Sequence, residues 1–225
     1  MLTPGERVFT VFTMSDQRDK ILASACDLYV SEGLDGFSMR KLAKRVGVTA
    51  PALYRHFDGR DAVLGEVVRE AYRSFMGYIY RALEAPTPLD RFTRAGEGYL
   101  DFALQHPRWY DIIFTGPELL GMETLPPDIE AMGCAIHQFW VDRVRECMDA
   151  GVLKPSDPLQ TSLTMWAHAH GMVQLYHQGN LQVDEPGFRG LFEDSCARLM
   201  AGVATEAFTV ELVEGNMSEP AHVQG

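Results

Sequence analysis

Apolar residues in this chain return every three or four positions and hardly ever alternate, which is the period of amphipathic helices and not of strands. Ile21, Ala25, Leu28 and Tyr29 form the first such stripe. Ser15 stands where an N-cap belongs, and Gly33 where a left-handed residue closes a helix. Ser38 caps a second, short helix carrying Met39, Leu42, Ala43 and Val46, with Gly47 ending it. Thr49 caps a third, with Pro51 in the first turn where a missing amide hydrogen costs nothing; this helix runs to about Phe57. A long connector then begins near Gly59-Arg60-Asp61 and carries Ala62, Leu64, Val67, Val68, Ala71, Phe75, Ile79 and Leu83, until the prolines Pro86 and Pro88 stop it.

The pattern continues to the C-terminus. Pro88 opens a helix to about Gln105, and Pro107 opens a short one carrying Trp109, Tyr110, Ile112, Ile113 and Phe114. Gly116 to Leu125 reads as a loop. Asp128 to Ala150 is one helix closed by Gly151, and Asp157-Pro158 supplies a cap and first-turn proline for a helix reaching Gln178-Gly179. A last helix occupies roughly Pro186 to Phe208. The expected fold is all-α with about nine helices and no internal repeat. Residues 1–14 are expected to be a flexible arm, 15–60 and 61–208 two helical domains, and 209–225 a disordered polar tail.

Composition narrows the class. Of 225 residues, 46% are hydrophobic and 23% charged, ordinary globular proportions that allow a core without metals or disulfides. The four cysteines (Cys26, Cys134, Cys147, Cys196) form no Cys-x-x-Cys pair, so they are expected to be small buried apolar residues in a reducing compartment. No apolar run approaches the roughly 18 residues of a membrane span. The opening MLTPGERVFTVFTM has charges before a short apolar run and no small-residue cleavage site, so it does not read as a signal peptide; Met14 offers an alternative start. A cytoplasmic protein with no cofactor is the expectation.

Charge becomes informative when divided. The net charge is −11, yet residues 15–60 hold eight Lys and Arg against six Asp and Glu, while residues 61–225 hold eleven against twenty-four. Within residues 38–60 six basic residues face the single Asp58. A basic island on an acidic body is the pattern of a chain that meets a polyanion with one end. An ordinary solvated helix face would carry the same charges, and both readings stand on charge alone.

Two short helices joined by Gly47-Val48-Thr49 and preceded by a supporting helix make a helix-turn-helix, in which the second helix enters the major groove. The segment FSMRKLAKRVGVTAPALYRHFDGRDAVL, with Phe37-Ser38, Leu42-Ala43, Gly47-Val48-Thr49, Leu53-Tyr54-Arg55-His56-Phe57 and Leu64 in register, resembles the DNA-binding segment of the TetR/AcrR family of bacterial repressors. Arg60 stands where that family usually has Lys and keeps the positive charge. The resemblance implies that Ser38 and Thr49 bond phosphates as caps, that Tyr54 and His56 contact the backbone, and that Arg60 reaches an adjacent phosphate. Ala50, Pro51, Ala52 and Arg55 lie where bases are read, and Arg55, the long donor among them, suits guanine. Arg40 and Lys44, one turn apart, offer a phosphate-facing surface. Phe57 reads as core.

The helical body resembles the C-terminal domain of the same family, and a subtype of it in which Ala-x-x-x-Pro precedes an aromatic helix and a later helix carries Trp followed by His-Gly; here these are Ala103 to Pro107 and Trp166 with His170-Gly171. That implies a small-molecule effector, apolar or amphipathic, and candidate lining residues are Phe102, Tyr110, Phe114, Trp140, Trp166 and His170, beside Met132, Phe139 and Met172. Each of these is equally at home in a core. The histidines have no carboxylate or cysteine at ligand spacing, so no metal is expected. The last two helices, with Ala167, Gly171, Ala197, Ala201 and Gly202, suit a homodimer, and two-fold symmetry implies a palindromic double-stranded DNA operator. The implied mechanism is a ligand-linked shift of the Arg60–Leu83 helix that changes the spacing of the two reading heads. No phosphate loop, nucleophile elbow or His-Glu-x-x-His motif is present, so an enzyme is not expected. A helical scaffold whose basic segment binds an acidic protein and a ligand-dependent activator are the competing readings.

Overall fold

The computed structural model describes residues 17–114, 116, 120 and 122–208. Among them it contains nine α-helices: α1 Gln17–Gly36, α2 Met39–Val46, α3 Ala50–Leu53, α4 Arg60–Tyr80, α5 Pro88–Gln105, α6 Pro107–Phe114, α7 Pro127–Asp149, α8 Pro158–His177 and α9 Glu185–Val203. A 3-10 turn, Arg81–Glu84, follows α4. Extended pairing among the described residues is limited to one bridge between Leu153 and Ala204. The expected cap Ser15, the arm 1–14 and the tail 209–225 lie outside the described residues.

The chain divides into two compact units. The first comprises residues up to Ala71 together with 112–126, and the second comprises 72–111 with the remainder from Pro127. Arg60, where the sequence places a boundary, falls inside the first unit. Helices α4 and α6 each run unbroken from one unit's residues into the other's. In the first unit the buried residues include Ile21 and Leu28 of α1, Leu42 of α2, Leu53 of α3, Val63, Leu64 and Val67 of α4, and Ile112, Ile113, Leu120 and Met122. In the second they include Phe75, Ile79, Tyr99, Phe102, Tyr110, Phe139, Val144, Val173 and Phe188.

Local signals explain the boundaries. Thr87 accepts from Asp90 N–H at 3.1 Å, Asp157 from Leu159 N–H at 2.9 Å and Asp184 from Gly187 N–H at 3.0 Å, each with a proline in the first turn. Gly33 takes φ +70° and breaks α1 there, as its position implies. A side chain at Gly98 would place its first carbon 2.6 Å from the carbonyl oxygen of Tyr78, so α5 can cross the end of α4 at this distance only with glycine. Nearer the start of α5, Glu146 accepts from Arg91 Nε and, within α7, from Arg143 Nε, both at 3.0 Å. Burial by itself would raise the Glu146 carboxyl, but the hydrogen bonds and charges of Arg143 and Arg91 hold it below its usual range.

Several expectations need correction. Ala62 is exposed and Val63 is buried in its place. Leu83 is half exposed, because the chain tightens into the 3-10 turn after Tyr80 and the changed pitch points Ala82 inward instead. The helix α3 ends at Leu53, not near Phe57, since His56 N–H turns back to Leu53 at i−3 spacing (2.9 Å). The helix α9 stops at Val203: Lys154 N–H takes the Val203 carbonyl (2.9 Å) and Thr205 N–H takes that of Val152 (3.0 Å). Cys26 and Cys147 are buried as expected, but Cys134 is exposed and Cys196 only partly covered.

Candidate functional site

The turn between α2 and α3 is built by two caps of different kinds. Ser38 Oγ accepts from Lys41 N–H at 3.3 Å and starts α2. Gly47 ends it at φ +78°, with its own N–H and that of Val48 both on Ala43 carbonyl at 3.0 Å. At Thr49 the expected side-chain cap is not made. A capping oxygen takes the N–H of the second or third helical residue. The second is Pro51, which has none, and the third, Ala52, bonds the Thr49 carbonyl at 2.9 Å. The Thr49 hydroxyl is therefore left out of the helix and is exposed.

Leu53 is fully buried and Phe57 nearly so, which anchors α3 from beneath. Pro51, Tyr54 and Arg55 are exposed, Tyr54 by 54%, while Ala50, Ala52 and His56 are partly covered. The structure thus brings Thr49, Ala50, Pro51, Ala52, Tyr54, Arg55 and His56 together around one short helix, with Ser38, Arg40 and Lys44 on α2 preceding it.

The basic residues sort into two sets. Arg18 pairs with Glu66 and lies 4.9 Å over the Phe57 ring, Lys41 pairs with Glu32, and Arg45 Nη1 donates to Ser31 Oγ at 3.3 Å. These four contacts fasten α1 to α2, to α4 and to Phe57, which follows α3. Arg60, expected at phosphate, donates from Nη1 to the Leu120 carbonyl at 3.2 Å. Lys20, Arg40, Lys44 and Arg55 are exposed and make no hydrogen bond or ion pair among the described residues. Arg18 was not singled out from the sequence; its aromatic partner is 39 positions away and leaves no local signal.

In the second unit, five of the six expected effector residues meet. Tyr110 Oη lies 2.6 Å from His170 Nδ1 and 2.6 Å from Tyr99 Oη. Trp166 packs on His170 with centroids 5.4 Å apart, Trp140 meets the edge of Tyr99 at 6.3 Å, and Phe102 joins through Phe75, which contacts both Phe102 and Tyr99. Phe114 falls in the first unit, so it is not grouped with them. Tyr99, absent from the expected set, occupies the centre.

Burial, with the neighbouring His177 adding to it, keeps His170 below the usual histidine value, and burial raises both tyrosines. The cluster is therefore neutral, and its polar atoms engage one another inside an aromatic wall. A separate open cleft of about 220 Å³ is lined by Ser156, Thr161, Met165, Leu199 and Val203, and none of the six expected residues borders it. No group of three or more His, Cys, Asp or Glu placed to hold a metal ion occurs among the described residues. No helix among them is long and apolar enough to cross a membrane.

Comparisons with known proteins agree with this geometry. Residues 21–67 match the family model for bacterial regulatory proteins of the tetR family, and residues 92–199 match that for the tetracyclin repressor-like C-terminal domain. The HTH-type transcriptional repressor KstR2 of Mycolicibacterium smegmatis is 24% identical over 144 residues, covering 63% of this chain and 69% of that protein. The class A tetracycline repressor of Escherichia coli is 46% identical over 48 residues, 21% of this chain and 22% of its own. Among solved structures, a protein of unknown function from Rhodococcus sp. RHA1 superimposes with a TM-score of 0.75 at 24% identity, over 88% of this chain and all of that one.

Proposed function

The chain belongs to the TetR family of transcriptional regulators, and from that premise we propose that it is a cytoplasmic repressor that binds a palindromic operator as a homodimer and is released by a small-molecule effector. The observation that carries the DNA reading is the exposed Tyr54-Arg55 edge of α3, flanked by the unpaired Arg40 and Lys44 in a unit that ties up most of its other cations. In this reading Ser38, Thr49, Tyr54 and His56 bond the phosphate backbone, Arg40 and Lys44 steer and hold the duplex, and Ala50, Pro51, Ala52 and Arg55 face the bases. Arg60 reaches phosphate by exchanging the Leu120 carbonyl for it.

Homodimerisation is supported by the apolar residues left outside on α8 and α9. Leu159, Leu163 and Leu191 are 49%, 48% and 44% exposed, and Ala167, Ala197, Ala201 and Gly202 are exposed beside them. Small residues between leucines let paired helices approach closely. Two-fold symmetry then sets half-sites roughly 34–36 Å apart or a multiple of that.

The neutral aromatic cluster around Tyr110 and His170 supports an apolar or amphipathic effector, since it offers stacking surface and hydrogen bonds but no fixed charge. Trp166 and His170-Gly171 support reading the body as one of the Trp-His-Gly subtype. A ligand-linked shift of α4 would change the spacing of the two reading heads, and ligand and operator then weaken each other equally.

Selection of bound duplexes from a random DNA pool, followed by sequencing, tests the reading. An enriched palindrome whose affinity falls steeply with salt is the expected result. A protein that retains no duplex above background, or retains all duplexes equally, is not an operator-binding regulator.

A further inference from the structure

Two buried side-chain polar atoms among the described residues have no hydrogen-bond partner, Ser162 Oγ and His177 Nδ1, and both are on α8. A serine hydroxyl in a helix turns to the carbonyl one turn back at little cost, so Ser162 signals little. The imidazole of His177 has no such recourse. Its Nε2 lies 3.1 Å from the carbonyl oxygen of Ala103 on α5. A carbonyl only accepts, so Nε2 carries the proton, and in the neutral ring Nδ1 is left as a bare acceptor.

The groups around Nδ1 do not serve it. Oδ1 of Asp111, on α6, is 3.9 Å away, beyond hydrogen-bond reach and itself an acceptor. The Tyr110 ring stands edge-on to His177 with centroids 5.4 Å apart, and its hydroxyl is directed at Tyr99 and His170. Two acceptors therefore face one another across a gap beside an aromatic wall. The Asp111 side chain is 53% exposed, which puts that gap next to solvent.

One atom can stand about 2.9 Å from both Nδ1 and Oδ1, the ordinary length of an N–H···O or N–H···N bond. To satisfy both it needs two hydrogens to give, which a primary amine has and a hydroxyl lacks. The carboxylate favours the protonated amine and repels an anion. Given an effector that binds in the second unit, we propose that its polar end is a primary amine held between His177 Nδ1 and Asp111, with an aromatic or apolar skeleton against Tyr110. Acids and phosphates are rejected at this point, and a tertiary amine keeps the charge but loses one of the two bonds.

The test uses the full chain and three probes built on one ring system: 1-naphthylmethylamine, its N,N-dimethyl derivative and 1-naphthoate. Nitrogen NMR of the histidines at neutral pH is expected to show His177 with its proton on Nε2, and the Nδ1 resonance is expected to move when the primary amine is added. Calorimetry should give the primary amine an affinity about fivefold above its dimethyl derivative, with the naphthoate weakest. That advantage is expected to vanish in His177→Gln, which keeps an N–H for the Ala103 carbonyl, and to shrink in Asp111→Asn. The primary amine is also expected to weaken binding to the duplex recovered from the random pool. A doubly protonated His177 ring in the free protein, equal affinity for the two amines, an advantage unchanged in His177→Gln, or no binding of any probe overturns the proposal and leaves the operator-binding reading standing. A pool without a consensus fails that reading instead, and with it the effector role of the amine, while the measurements on the free protein still decide the site.

Discussion

The hydroxyl of Tyr110 lies 2.6 Å from Nδ1 of His170, and the two rings stack with centroids 5.6 Å apart. The same hydroxyl lies 2.6 Å from Tyr99 Oη, so Tyr110 is the oxygen that both partners share. Replacing Tyr110 by Phe keeps the stack and removes the hydroxyl that both partners use. The expected loss is about 1–3 kcal/mol, the range for a buried group deprived of its partner. Urea denaturation reads it as a lower midpoint at unchanged slope; a midpoint within error of the parent contradicts that shared role.

Acidification follows from the same site. Burial, then the neighbouring His177, holds His170 below the ordinary value of 6.5, and burial does the same for His106. In the unfolded chain both take up protons as the pH drops through 6.5, whereas in the folded chain they do so only lower. The stabilisation is thus complete above pH 6.5 and is lost as pH falls through that value toward the folded ones. The melting temperature at pH 5.5 should lie below that at pH 7.5, with a smaller gap in His170→Gln. An equal gap in the variant assigns the effect elsewhere.

Salt dependence should count the free cations. With Arg40 and Lys44 unpaired and Arg60 moving from the Leu120 carbonyl to phosphate on each protomer, a dimer engages about six phosphates, and log affinity should fall against log salt with a slope of about −5. Lys44→Ala should make the slope shallower by about 2, while Lys41→Ala, whose parent side chain is paired with Glu32, should leave it nearly unchanged. Fluorescence anisotropy from 50 to 300 mM salt, roughly the useful window, separates the two variants.

Gly98→Ala tests the crossing of α5 over Tyr78. The added carbon meets backbone, which cannot rotate away as a side chain would. A cost of about 1–3 kcal/mol is expected from such overpacking, measured by thermal denaturation with helical content retained at low temperature. Gly96→Ala, where nothing lies within 4 Å of the added carbon, serves as the neutral companion.

Much of this architecture was legible because its signals are local. The stripe of α1, the proline starts of α5 and α8, the Ser38 cap and the glycines at 47, 151 and 179 act within a turn or two, and each took the expected place. The losses came where a distant group decides. Thr49 looked like a cap until Pro51 withheld an amide and Ala52 bonded the Thr49 carbonyl. The acceptor that Arg60 uses without DNA, the Leu120 carbonyl, sits sixty positions away and left no local signal. The helix α9 read as continuous to Phe208 because the strand-like pairing that ends it comes from residues 152–154. Of the site, the types and spacing of Tyr54 to Phe57 were plain, whereas the centrality of Tyr99 depends on four other helices meeting it.

The discontinuity of the first unit sets an order in time. A ribosome delivers α1, α2 and α3 early, yet Ile112, Ile113, Leu120 and Met122, buried in that same unit, follow only after the whole of residues 72–111 has been made. The part of the molecule that meets DNA begins before residues 72–111 and is finished after them. A nascent or truncated chain ending at Ala71 carries the complete recognition motif without the apolar residues that close its core, and domains generally fold as whole units.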